Sequence, residues 1–297
     1  MTIARQVPEP PSSASRFRLL IDTDAANEID DLYAVALAIN APDRIALEGF
    51  VATHFAGKAG PDSTEQSYQL LLEELEVAGR EGEFVVKRGG HPMQYPGTPT
   101  ESEGAEFIIE RARAGSEDDP LWVVGLGAAT NLASAILMAP DVASRVRFVF
   151  HARNEFNWPE RTTQFNVIGD IIAAQTLLEC EAPLVWFDTG TDLTLPMEET
   201  EKRLAPLSPL GKFLHEYRHK REHYMSPKKG FFDVGDIAWL MQSDVCKMEA
   251  VPAPRLERHC HFNTKRTFGE MLRVFEIDRE KTWKLFFEKL EKAYAAV

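Results

Sequence analysis

Along the chain, short apolar runs alternate with longer stretches in which apolar positions recur every three or four residues. Phe17-Arg18-Leu19-Leu20-Ile21 is a brief apolar run stopped by Asp22, the pattern of a buried strand. From Asp30 the spacing changes: Leu32, Ala34, Val35, Leu37 and Ala38 mark a helix, with acids in its first turn where the helix dipole favours them. The alternation continues. Residues 46–52, 83–87, 121–126, 146–152 and 183–188 read as strands. Residues 63–78, 104–114, 131–137 and 171–179 read as helices. Strands alternating with helices predict βαβ units: a Rossmann-like α/β fold whose mostly parallel sheet is covered by helices on both faces. In such a sheet, ligands bind outside the carboxyl ends of the strands, so the loops after the strands are where chemistry is sought.

The last third reads differently. Residues 207–224 predict a polar, exposed helix and 233–241 a second helical stretch. Residues 248–251, 258–262 and 272–277 predict strands, and 278–296 an amphipathic closing helix. Residues 1–16, rich in Pro and Ser and lacking an apolar core, predict a flexible tail; 17–297 then form a single domain.

Composition narrows the function. The 297 residues carry 33 Lys and Arg against 46 Asp and Glu, a net charge of −13. That balance argues against a nucleic-acid partner, which needs a basic stripe, and against anionic membranes. No apolar run approaches a membrane span. Three widely spaced cysteines, Cys180, Cys246 and Cys260, imply neither a disulfide framework nor a CxxC site, and fit a reducing, cytoplasmic setting.

The acids are not evenly spread. Asp22, Asp24, Glu28, Asp30 and Asp31 fall within ten residues, at a strand end and a helix start. Carboxylates crowded in this way repel one another unless protonated or neutralised by a cation, and their hard oxygens suit Ca²⁺ or Mg²⁺. Helix capping accounts for Asp30 and Asp31 and leaves Asp22 and Asp24 unexplained. The loop lacks EF-hand spacing.

Five collinear segments carry a resemblance. Asp22-Thr23-Asp24, followed after five residues by Asp30-Asp31, is similar to a D-T-D-P-G-x-D-D signature, with two residues more and without Pro-Gly. The loop around Gly90 and Pro92, the turn Gly127-Ala128-Ala129-Thr130-Asn131, the pairing of Asn157-Trp158 with Gln164-Phe165-Asn166, and Gly235-Asp236 follow in order. Together they resemble the inosine-uridine preferring nucleoside hydrolase family. The resemblance implies that family's architecture and a Ca²⁺-dependent hydrolysis of the N-glycosidic bond of a nucleoside or related furanoside. Asp24, Asp31, the main-chain carbonyl of Thr130 and Asp236 would ligate Ca²⁺. Asp24 would also be the general base for the attacking water. Asp30 and Asn166 would hold the 2′- and 3′-hydroxyls, and Asn157 and Gln164 would reach the 5′ side, where the family usually has Glu in place of Gln164. The family is often dimeric or tetrameric. It opens a late helix with a His-Asp pair whose His assists the leaving base; matched to Gly235-Asp236, that His is a Gly. His54, Arg153, His223 and Tyr224 are then candidate acids, and a non-catalytic binding protein on the same fold is a second reading.

Other signals compete. His215-Glu216-Tyr217-Arg218-His219 matches H-E-x-x-H, and His219 to His223 matches its reverse, but the surrounding Lys212, Arg218, Lys220 and Arg221 read as a solvated face. His259 and His261 would share one side of an ordinary strand. The D-x-D after a first strand also occurs in Mg²⁺-dependent haloacid dehalogenase-like phosphatases, a reading that leaves Thr130, Asn166 and Asp236 unexplained.

Overall fold

A computed structural model describes residues 5–154 and 156–295. They form an eight-stranded sheet from strands β1 (Phe17–Thr23), β2 (Ile45–Ala52), β3 (Val86–Arg88), β4 (Leu121–Gly125), β5 (Val146–His151), β6 (Leu184–Phe187), β7 (Cys246–Leu256) and β8 (Phe262–Ile277). The order is β3-β2-β1-β4-β5-β6-β8-β7, with every pairing parallel except that of β7 with β8. The predicted parallel α/β sheet is therefore present. The strand order reverses beside β1, where β4 departs on the opposite side from β2. That places the switch-point crevice, where such sheets bind ligands, over the ends of β1 and β4.

The central strands β1, β4, β5 and β6 are largely apolar and buried because both faces are covered, whereas β7 and β8 carry exposed polar residues. Leu19, Ile21, Val124 and Val149 pack toward helices Asp30–Ile39, Val234–Met241 and Arg279–Tyr294. Leu20, Val123, Phe148 and Phe150 alternate onto the other face, against helices Glu103–Arg113, Thr130–Met138 and Ile171–Glu179. No helix of the described residues is long and apolar enough to cross a membrane.

Three segments differ from expectation. The predicted exposed helix over 207–224 is a helix only over Pro209–Tyr217, followed by two 3₁₀ turns. Arg218 breaks the pattern: it is fully buried and donates to the carbonyls of Leu195 (2.8 Å) and Tyr224 (3.1 Å), drawing the chain inward. The predicted strand over 258–262 is mainly the turn between β7 and β8, with Cys260 at φ 65°. That turn is pinned to the loop before helix Phe165–Gly169: Thr162 N–H donates to Cys260 O (2.8 Å), Phe262 N–H to Glu160 O (3.0 Å), and Trp158 packs on Phe262. Of the segment expected to be a flexible tail, residues 1–4 lie outside the described residues, while Arg5 is anchored. Its guanidinium donates to the carbonyls of Leu177 (2.7 Å), Leu178 (2.9 Å) and Cys180 (3.0 Å). It thus supplies donors and positive charge to the C-terminus of helix Ile171–Glu179, which has spare carbonyls and no basic residue in its last turn.

Candidate active site

The acid-rich loop leaves β1 at the crevice. Asp22 is still in the strand, fully buried. One carboxylate oxygen accepts from Asn131 Nδ2 (2.7 Å) and the other has no partner among the described residues. Burial pushes its carboxyl up to about 8, and the Asn131 bond opposes the shift. Asp24 lies one turn on and accepts from Asn27 Nδ2 (3.0 Å). The chain approaches Asp24 closely at Gly127, where a Cβ would stand 2.4 Å from Thr53 Cγ2 and 3.0 Å from Asp24 Cγ. A side chain there would displace the acid. Asp30 and Asp31 open helix Asp30–Ile39, both buried, and Asp31 accepts from the Thr23 hydroxyl.

A further acid completes the cluster. Asp233 immediately precedes helix Val234–Met241, and its carboxylate lies with those of Asp30 and Asp31 so that one oxygen from each falls within 4.8 Å of the others. Burial first, then mutual repulsion among Asp24, Asp30, Asp31 and Asp233, raises the carboxyls of Asp24, Asp31 and Asp233. Such a set is stable only with protons or a cation. Three hard carboxylates in reach of one point fit a divalent metal, so the donor chemistry matches a metal site.

The cluster floors a cavity of about 240 Å³. Asp24, Asp30, Asp31 and Asp233 line it from the loops after β1 and before helix Val234–Met241; Leu126, His151, Arg153, Gln164 and Asn166 line it from the ends of β4 and β5. Asn166 is buried and donates its amide to the carbonyls of Leu126 (2.6 Å) and His151 (3.1 Å), which fixes its orientation. Gln164 Oε1 accepts from Val167 N–H (3.1 Å), capping helix Phe165–Gly169. Asp24, Asp30, Asp31, Gln164 and Asn166, picked out in the sequence, therefore meet at one cavity.

Other predicted residues stand elsewhere. Asp236 is buried beneath the cavity and accepts from His151 Nδ1 (2.7 Å), with Asp233 3.6 Å from the same nitrogen. Asp236 orients the histidine, and Asp233 reaches both the histidine and the acid cluster; His151, Asp233 and Asp236 also bring one ligand atom each within 4.8 Å of one another. Gly235 faces the sheet: a Cβ there would meet Ile277 at 2.8 Å and Phe187 at 3.2 Å. The residue before Asp233 is Phe232, whose ring lines the cavity. Leu126, and not Thr130, is among the lining residues; the buried Thr130 hydroxyl donates to Asp170 (2.6 Å) and meets His54 Nε2 (2.7 Å). Asn157 is exposed on a turn, away from the lining.

Among the proposed leaving-group acids, His54 is buried against Thr130 and its imidazolium is pushed down to about 4 by burial and then His91, so it is neutral. Tyr224 is buried under Asn27, its phenol raised by burial. His223 is exposed and faces Glu28 at 3.3 Å. Only Arg153 of the four lines the cavity.

Sequence reasoning missed Asp233, His151 and Lys229. Asp233 carried its signal in position, as the acid that opens the late helix. Lys229 had none. Its buried ammonium meets Asp30 at 3.1 Å and Glu28 at 3.2 Å; burial alone would lower it, but these two carboxylates outweigh burial and hold it protonated. The two histidines of the H-E-x-x-H match meet edge to face at 5.5 Å, with His215 bonded to Thr200 (2.9 Å).

Residues 19–284 match the family model described as inosine-uridine preferring nucleoside hydrolase. A probable uridine nucleosidase 2 of Arabidopsis thaliana is 29% identical over 227 residues, spanning 67% of this chain and 68% of that protein. A non-specific ribonucleoside hydrolase RihC of Shigella flexneri is 25% identical over 261 residues, 77% of this chain and 81% of its own. Among solved structures, a plant nucleoside hydrolase superposes with a TM-score of 0.73 at 19% identity, covering 93% of this chain and 99% of that one. A purine-preferring ribonucleoside hydrolase from Gardnerella vaginalis gives 0.73 at 18%, covering 94% and 100%.

Proposed function

Since the chain belongs to the inosine-uridine preferring nucleoside hydrolase family, and is thereby a hydrolase of N-glycosidic bonds, we propose that it releases the free base from a ribonucleoside with Asp24 as general base. The observation that carries this is the meeting of Asp24, Asp30, Asp31 and Asp233 with Asn166 at one cavity over the ends of β1 and β4. The phosphatase reading has no support in this match.

The chemistry asks for a water, a base and a means to hold an oxocarbenium-like sugar. Burial and its acidic neighbours favour the protonated form of Asp24; beside a bound cation it would be held as the carboxylate that accepts a proton from water within hydrogen-bond reach. Asp30 and Asn166 present acceptors to ring hydroxyls, fixing the sugar so that attack is effectively intramolecular. Asp31 and Asp233 would hold the divalent cation, which we take to be Ca²⁺; bound there, it would neutralise the cluster and supply Lewis-acid stabilisation. Asp233 joins Asp236 as a candidate ligand, and Asp236 also positions His151. The family's leaving-group His then falls at Phe232, so the base departs without an acid from that position.

The test is a nucleoside panel with Ca²⁺ and with EDTA, read by chromatography of free base. Base release that needs Ca²⁺ and vanishes in Asp24→Asn supports the mechanism; wild-type turnover in Asp24→Asn refutes it. Calorimetric titration of Ca²⁺ should show Asp233→Ala losing binding more than Asp236→Ala. The Lys229 ammonium on Asp30 favours a second reading, ligand binding without turnover, which tight nucleoside binding with no base release would establish.

A further inference from the structure

Cations at the cavity wall are unexpected in a site built around acids. Arg153 follows β5, which stands two places from β1 in the sheet, so its backbone lies roughly 10 Å across the crevice from the Asp24 loop. Its guanidinium lies over the Phe232 ring (4.1 Å) and donates to Thr191 Oγ1 (3.1 Å). Its Nε is buried without a hydrogen-bond partner among the described residues. A buried guanidinium nitrogen left unpaired is costly unless something occupies the space beside it.

Gln164 lines the same cavity. Its Oε1 is oriented by capping helix Phe165–Gly169, and its amide NH₂ makes no bond to the described residues. Arg153 has only donors, and the free group of Gln164 is a donor. A neutral sugar hydroxymethyl needs one partner and no charge. A planar guanidinium and an amide NH₂ lining one cavity match an oxyanion. The carboxylate usual in the family at the Gln164 position would repel such a group, and this chain lacks it.

We propose that the substrate carries an oxyanion on the exocyclic carbon of the sugar, bound by Arg153 and Gln164, with a phosphate monoester as its source. The substrate class is then the nucleoside 5′-monophosphate. This rests on the proposed placement of the sugar, with its ring hydroxyls at Asp30 and Asn166 and its exocyclic carbon toward Gln164. A cavity of about 240 Å³ is below the range of pockets that enclose a drug-sized ligand, so it takes the sugar end and leaves the base toward the mouth.

Binding and turnover are read separately. Ribose 5-phosphate and ribose are titrated calorimetrically into the full chain, with Ca²⁺ and with EDTA. Ribose 5-phosphate should bind at least about tenfold more tightly, the worth of a charge-assisted hydrogen bond. That ratio should collapse toward one in Arg153→Gln and be partly restored in Arg153→Lys. Gln164→Glu should reverse it. Equal binding of the two sugars, or a ratio unmoved in Arg153→Gln, overturns the inference. Tighter binding of a sugar 5′-carboxylate than of the phosphate assigns the oxyanion but overturns its source. In turnover, uridine cleaved at least as efficiently as its 5′-monophosphate overturns the inference and leaves the nucleosidase reading intact. An Arg153-dependent phosphate preference without release of base from either overturns the nucleosidase reading and leaves the inference standing.

Discussion

Asp22 allows the electrostatic account of the crevice to be tested apart from catalysis. Its carboxyl titrates near 3.8 when solvated and at about 8 when folded. The unfolded chain therefore releases this proton as pH rises through about 4, while the folded protein keeps it. Asp22 contributes stability that is fully present below the unfolded value and is lost as pH climbs through the folded one. Between about pH 5 and pH 7.5 the loss is 2.5 units at about 1.36 kcal/mol each, close to 3 kcal/mol. Asp22→Asn removes the titration and keeps the size; its amide oxygen can still accept from Asn131. The amide also leaves a buried N–H in the space of the partnerless oxygen, a cost of about 1–3 kcal/mol that does not vary with pH. The variant should therefore be equal to or less stable than wild type at about pH 5, and should gain about 3 kcal/mol on it by about pH 7.5. Urea unfolding in EDTA, followed by the fluorescence of buried Trp186 and Trp239, measures this difference at both pH values. A gap between the two proteins that does not change with pH refutes the reasoning, because it would mean that Asp22 is ionised in the fold.

Two further outcomes follow from buried groups. Glu74, in helix Ser63–Val77, is fully buried with both carboxylate oxygens unpartnered among the described residues, and its carboxyl is raised by burial and then by Asp31; Glu74→Leu should raise stability by about 1–3 kcal/mol at neutral pH, and less at acid pH where the wild-type group is protonated in both states, as urea midpoints at the two pH values will show. Arg5→Ala should cost about 1–3 kcal/mol by freeing the carbonyls of Leu177, Leu178 and Cys180, and hydrogen exchange should quicken first at the C-terminal end of helix Ile171–Glu179.

The parallel sheet was legible because a strand buried on both faces must be apolar along its whole length, and Leu121–Gly125 or Val146–His151 can be nothing else in a chain this polar. The β1 acids were legible because repulsion makes such crowding costly without a purpose. What did not show was any position whose meaning depends on which way a side chain turns. Asp233 and Asp236 are three residues apart on one helical turn, and only the helix start decides that the first reaches Asp30 and Asp31 as well as His151 while the second bonds His151. Arg218 and Lys229 look like surface residues in a basic stretch, yet both are buried because carbonyls or carboxylates on distant segments receive them. The turn at Cys260 was hidden inside a run of strand-like residues, since positive φ at a non-glycine has no compositional mark.

The clasp between that turn and residues 158–162 also sets an order of events. The loop bearing Gln164 and Asn166 is held by Cys260 and Phe262, about a hundred residues later in the chain. A ribosome adding about 5–20 residues per second needs on the order of 5–20 s to make that stretch. During that interval the β1 acids have already been synthesised, and the Gln164 and Asn166 wall of their cavity has nothing to lean on. Nascent chains halted before β8 should therefore hold neither ligand nor wall in place, and competence should arrive abruptly once the closing hairpin has emerged.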